Sequence, residues 1–185
     1  MKKVKLLYLL ASCLTFSLLS TSCSDDDDDN NESNSNIELY INGVKQKINN
    51  FVDSPIIYDN NEFQFSTYFG DEESGNIIFF NFDDISLNDL AVGDDLTNKT
   101  SWGDYDLFYE NDFYKLFDNH PVLTNTQYKQ YLGQAIVKEF DKNNGTIKVE
   151  FSNIKIPTFD AGDPYKQPEK TATVKAVFSG KIDFD

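Results

Sequence analysis

Apolar residues recur at every second position through much of residues 37–185, and this period limits the fold more than any other feature. Successive side chains of an extended strand point to opposite faces, so the pattern buries one face and leaves the other wet. The stretch "TVKAVFSGKIDF" puts Val174, Ala176, Phe178, Gly180, Ile182 and Phe184 on one face. Thr173, Lys175, Ser179, Lys181 and Asp183 fall on the other, with Val177 as the exception. Phe63, Phe65, Thr67 and Phe69 alternate with polar neighbours, and Ile78, Phe80 and Phe82 follow beyond the hairpin loop "GDEESG". Ile147, Val149 and Phe151 repeat the pattern after "DKNNG", whose Asn and Gly suit a turn needing positive φ. Asn42-Gly43 marks the bend of a first hairpin, "IELYINGVKQKI". Strands linked by short turns predict an all-β domain, an antiparallel sandwich or a barrel-like sheet. No long segment carries a persuasive 3.6-residue period. Residues 87–96 are expected to hold one short helical turn. Residues 104–117 are the best remaining helical candidate, too dense in aromatics to assign.

The N-terminus has a different design. Lys2, Lys3 and Lys5 precede an apolar run over residues 6–19, which ends in Ser20, Thr21, Ser22 and Cys23. A cationic start, an apolar middle and a small-residue end make a secretory signal. The run is shorter than the ~20 residues a spanning helix needs, and Ser12, Thr15 and Ser17 break it. Cysteine at the cleavage point resembles a bacterial lipoprotein signal, in which the thiol is acylated and becomes the mature N-terminus. Leu10-Ala11-Ser12-Cys13 matches the usual motif better as a string, but little apolar sequence precedes it and apolar sequence follows. Cys23 has the whole run before it and a solvated segment after it, and is the favoured lipidation site. Asp25, Asp26, Asp27, Asp28 and Asp29 repel one another and cannot be buried together, which makes residues 23–36 a polar tether. The string "CSDDDDD" resembles the acidic export signal of surface lipoproteins of Bacteroidota. The "INGV" hairpin and the "GTIKVEFSNIKI" strand pair resemble small β-rich members of that group, a resemblance that brings no established activity with it. It implies a lipid-anchored outer-membrane protein facing the cell surface. The organisation expected is a signal peptide over residues 1–22, a lipidated tether over 23–36 and one β domain over 37–185, long enough for a sizeable core.

Charge narrows the partners. The chain carries a net charge of −15 and contains no arginine. Such a surface lacks the basic footprint that nucleic acid or anionic lipid requires, so the membrane is reached through the N-terminal lipid alone. Cys13 and Cys23 are the only cysteines, which leaves residues 37–185 without disulfide, thiol nucleophile or thiolate metal site. No cofactor or metal is expected. His120 is the only histidine, and "DNHPV" predicts a solvated loop position. With neither a G-x-S-x-G elbow nor HExxH, no catalytic residue can be named. Asp83, Asp84, Asp89, Asp94 and Asp95 offer oxygen ligands for calcium, but without EF-hand spacing they read as turn acids.

The segment "SWGDYDLFYENDFYKLF" (residues 101–117) is the most unusual. Trp102, Tyr105, Tyr109 and Tyr114 are interleaved with carboxylates, a combination that stacks on sugar rings and accepts bonds from hydroxyls. The competing expectation is a lid that folds back and buries its rings over the β core. The functional expectation is a non-catalytic surface module that binds glycan or peptide. A small carboxylate-dependent hydrolase and a structural envelope component are the alternatives.

Overall fold

The computed structural model describes residues 35–49, 54–71 and 75–184. The signal segment, Cys13, Cys23 and Asp25 to Asp29 lie outside the described residues. Among the described residues the strands are β1 (Asn36–Ile41), β2 (Val44–Lys45), β3 (Ile48–Asn49), β4 (Ile56–Asp59), β5 (Glu62–Phe69), β6 (Asn76–Phe82), β7 (Gly103–Tyr109), β8 (Asp112–Leu116), β9 (Gln134–Asp141), β10 (Thr146–Pro157), β11 (Thr171–Lys181) and β12 (Asp183–Phe184). Among the described residues the connections hold the short helices α1 (Leu96–Lys99) and α2 (Asn125–Leu132) and a 3-10 turn at Leu87–Asp89.

The strands form two sheets. One runs β2-β1-β11-β10-β9, and the other β12-β4-β5-β6-β7-β8 with β3 also paired to β5. Every pairing is antiparallel except β12 with β4. The sheets pack as a sandwich and do not close into a barrel. Alternation explains both inner faces: Phe63, Phe65, Phe69, Ile78, Phe80 and Phe82 are buried from one sheet, Ile147, Val149, Phe151, Val174, Ala176 and Phe178 from the other. Phe151 sits where they meet. Its ring stacks on Phe80 at 4.4 Å between centroids and meets Phe65 at 5.2 Å and Phe178 at 5.6 Å edge-on.

Turn chemistry sets the registers. Asn42-Gly43, Asn60-Asn61 and Glu110-Asn111 all have positive φ at both positions. That is the twist of two-residue I′ hairpins, whose handedness matches the strands they join. In the β9–β10 turn, Asp141 accepts from the backbone N–H of Asn143 and Asn144. Those bonds, with the one from the Asn144 amide, hold the Asp141 carboxyl below its ordinary range.

Two expectations need correcting. The C-terminal alternation is not one strand. β11 ends at Lys181, Ile182 donates its N–H to the Gly145 carbonyl, and β12 then joins β4 in the opposite sheet. Crossing between sheets breaks the parity, so Phe184 is 54% exposed rather than inward. The second concerns α2, which carries no strong apolar period. It is started by a capping box, in which Thr124 accepts from the Gln127 N–H and the Gln127 side chain accepts from the Thr124 N–H. Tyr128 and Leu132 are its buried side chains. The Tyr128 hydroxyl donates to the Gly103 carbonyl at 2.8 Å, anchoring the helix to β7.

Candidate ligand-binding face

Residues 101–117 are not helical, and they bury rings over the core as a lid would, but as strands of the sheet and not as a folded-back connection. They supply β7 and β8, a hairpin at one end of the second sheet. Parity then decides which side chains reach solvent. Tyr105 is fully buried, its hydroxyl donating to the Leu132 carbonyl at 3.3 Å. Tyr114 is 5% exposed. These two rings face the core, which corrects the expectation that they lie on a ligand surface. Tyr109 is half-buried with its ring 5.9 Å from Phe69. Trp102 is half-buried just before β7. The four residues named from sequence do not share one surface.

The alternate positions of the same hairpin do. Register pairs Tyr68 with Ile77, Ile77 with Phe108 and Phe108 with Phe113, so four large apolar side chains cross β5, β6, β7 and β8 in one line on the outer face. Tyr68 is 39% and Phe113 37% exposed, and Ile77 and Phe108 are half-buried between them. The solvent face of an antiparallel sheet is ordinarily polar, so such a row needs a reason. Trp102 stands on the outward parity of β7 but about 20 Å from Phe108 at 3.3 Å per residue, well off the row.

Beside the row runs a mostly polar line, in which Ser66, Asp106 and Lys115 share a register with the half-buried Phe79, and Gln64, Asn81 and Asp104 lie next to them. The Lys115 ammonium donates to Asp106 at 2.8 Å and to Asp104 at 3.1 Å. Burial works against the lysine charge, but the two carboxylates outweigh it and hold Lys115 above its ordinary pKa. Burial raises Asp104 above the usual carboxylate value, against the lowering effect of Lys115. One oxygen each of Asp104 and of its register partner Asn81 is buried with no hydrogen-bond partner.

At its Phe113 end the row opens into a groove of about 300 Å³, where Phe113 and Phe159 meet Asp112, Asp160, Lys166 and Lys170. Its walls are tied together. The Phe159 N–H donates to the Phe113 carbonyl at 2.8 Å and the Thr158 N–H to the Lys170 carbonyl at 2.9 Å. Lys170 pairs with Asp112 at 2.5 Å, and Lys166 with Glu169 at 2.9 Å. A larger depression of about 670 Å³ lies over the first sheet, where Tyr40 is the one ring in the lining, among Glu150, Lys155 and Lys175.

His120 departs from expectation too. It is 4% exposed, packed with its ring 5.0 Å from Phe117 and 5.6 Å from Phe159. Its Nδ1 accepts from the Val122 N–H, its Nε2 has no partner, and burial lowers its pKa. It is a neutral packing element behind the groove wall. The missed signal was the local density of Phe117, Pro121 and Val122 around it.

The aspartate-rich stretch builds loops. Asp95 caps α1 at the Thr97 N–H and accepts from the Ala135 N–H at 3.0 Å. Asp94 pairs with Lys99 at 2.9 Å and accepts from the Ala91 N–H, and both bonds lower its pKa. Asp84 accepts from the Ser101 hydroxyl. Among the described residues, no three His, Cys, Asp or Glu side chains are grouped to hold a metal ion, and no helix is long and apolar enough to cross a membrane. No protein-family model matches the chain, and neither a curated protein nor a solved structure is significantly similar to it.

Proposed function

We propose that this chain is a lipid-anchored protein of the outer cell surface whose β sandwich captures glycan without transforming it. The single observation behind the binding reading is the row Tyr68–Ile77–Phe108–Phe113 on a solvent face. Aromatic rings present flat apolar faces that stack on the C–H faces of sugars, and the adjacent Asp106, Lys115, Gln64 and Ser66 offer bonds to hydroxyls. Catalysis fits the same face poorly. A two-carboxylate hydrolase keeps one acid free to give its proton and the other free to attack or to activate water. Here Lys115 engages both Asp104 and Asp106.

Replacing Phe108 and Phe113 together by serine should cut retention on an array of neutral and acidic glycans about tenfold or more, since each stack contributes up to about 1.5 kcal/mol. The thermal midpoint should fall by only a few degrees, because neither ring belongs to the sandwich core. Undiminished retention by the double variant would reject the reading, and retention of peptides instead would move it to the other ligand class.

Anchoring rests on the apolar run before Cys23 and the acidic tether after it. Mass spectrometry of membrane fractions should recover an N-terminal peptide that begins at acylated Cys23. An acylated peptide beginning at Cys13 would contradict the assignment.

A further inference from the structure

We infer that the face takes a linear, uncharged glycan laid across the strands, with one end seated in the groove between Phe113 and Phe159. This rests on the glycan reading above and specifies which glycans. Geometry gives the direction. The row advances one strand at a time, at ~4.8 Å per step, so its four side chains span about 14 Å. That step is close to the length of one sugar ring, so a chain lying perpendicular to the strands meets one apolar side chain per ring. Strand twist rotates each platform relative to the last by roughly 20–25°, which suits a chain with a regular turn between rings.

The groove sets the end point. It continues the row beyond Phe113, and Phe159 forms its far wall. At about 300 Å³ it lies at the small end of ligand pockets, suited to a chain terminus and not to a branch point.

Charge selects among chains. Lys115 beside the row and Lys166 and Lys170 in the groove each already engage a carboxylate. Asp104, Asp106, Asp112, Asp160 and Glu169 outnumber them, within a chain of net charge −15. A uronate or sulfate group would meet an excess of negative charge along the groove and beside the row. Hydroxyl groups instead find acceptors on Asp106, Asp112 and Asp160.

The test is calorimetric titration of the folded protein with neutral linear glucans, mannans and xylans of graded length, and with a polyuronate. Affinity should rise with each added ring and level off at about four or five rings, changing little with salt. The polyuronate should bind at least tenfold more weakly. Phe159→Leu, which keeps apolar bulk in the wall, should lose about threefold to tenfold on the longest chains and nothing on the shortest. A plateau at one or two rings, equal or tighter binding of the polyuronate, or a steep loss of affinity with salt would overturn the inference while leaving glycan capture intact. Absence of any binding, or binding that survives the Phe108 and Phe113 double replacement, would overturn both.

Discussion

Gly133→Ala should destabilise the fold by about 3–5 kcal/mol, enough to lower the melting midpoint by roughly 10–15 °C. Gly133 ends α2 at φ 65°, ψ −131°, a conformation that L side chains rarely adopt. Space makes the position stricter still. A Cβ there would lie 2.4 Å from the Ser152 carbonyl oxygen and 2.7 Å from Ile154 N. Those atoms belong to a bulge in β10, where the register passes from Phe151–Ala176 to Ile154–Val174 and Asn153 takes positive φ. The backbone of the helix terminus therefore rests directly on a kinked strand, and neither can retreat without unpairing β10. Thermal melting followed by circular dichroism measures the effect. A loss below about 1 kcal/mol would mean that the contact between α2 and the bulge is looser than these distances allow.

Phe151→Ala should cost about 3–5 kcal/mol through a cavity that the surrounding rings cannot close. Phe151 is fully buried, and the rings around it come from both sheets: Phe80, Phe82 and Phe65 from one, Phe178 from its own. Removing it unmakes the contact that joins the two layers. Phe151→Leu keeps most of the volume and should cost less than about 1.5 kcal/mol. Denaturant unfolding of the pair compares them directly. Equal losses for alanine and leucine would mean that ring geometry, and not filled volume, holds the sheets together.

Much of the sandwich is legible in the sequence. Period-two runs marked β5, β6, β10 and β11, and the inward set from Phe63 to Phe69 is buried as alternation requires. Asn42-Gly43 marked the first hairpin because that pair tolerates the positive φ it adopts. The β7–β8 hairpin was harder. Its inward positions Tyr105 and Tyr114 and its outward positions Phe108 and Phe113 are all aromatic, so the polar half of the alternation is incomplete and the period is blurred. The same ambiguity hid the candidate face. Residues 101–117 stand out in the sequence for their rings and acids, yet Tyr105 and Tyr114 turn inward while the outward rings join a row completed by Tyr68 and Ile77. Those partners come from β5 and β6, and only register brings them together. A line across four strands leaves no trace in any single stretch of sequence. α2 was missed because tertiary contacts from Tyr128 and Leu132, and not an apolar stripe, stabilise it. Its Thr-x-x-Gln start was the available signal.

The proposed glycan capture puts the ligand on the outer face of the second sheet, and not on its counterpart over the first. Nuclear magnetic resonance titration of the labelled protein with an array-retained glycan tests it most directly. Ring signals of Tyr68, Phe108 and Phe113 should shift with added glycan, while Tyr40 and the core ring Tyr105 stay in place. Shifts gathered instead around Tyr40, Lys155 and Lys175 would put the ligand in the depression over the first sheet and contradict the account.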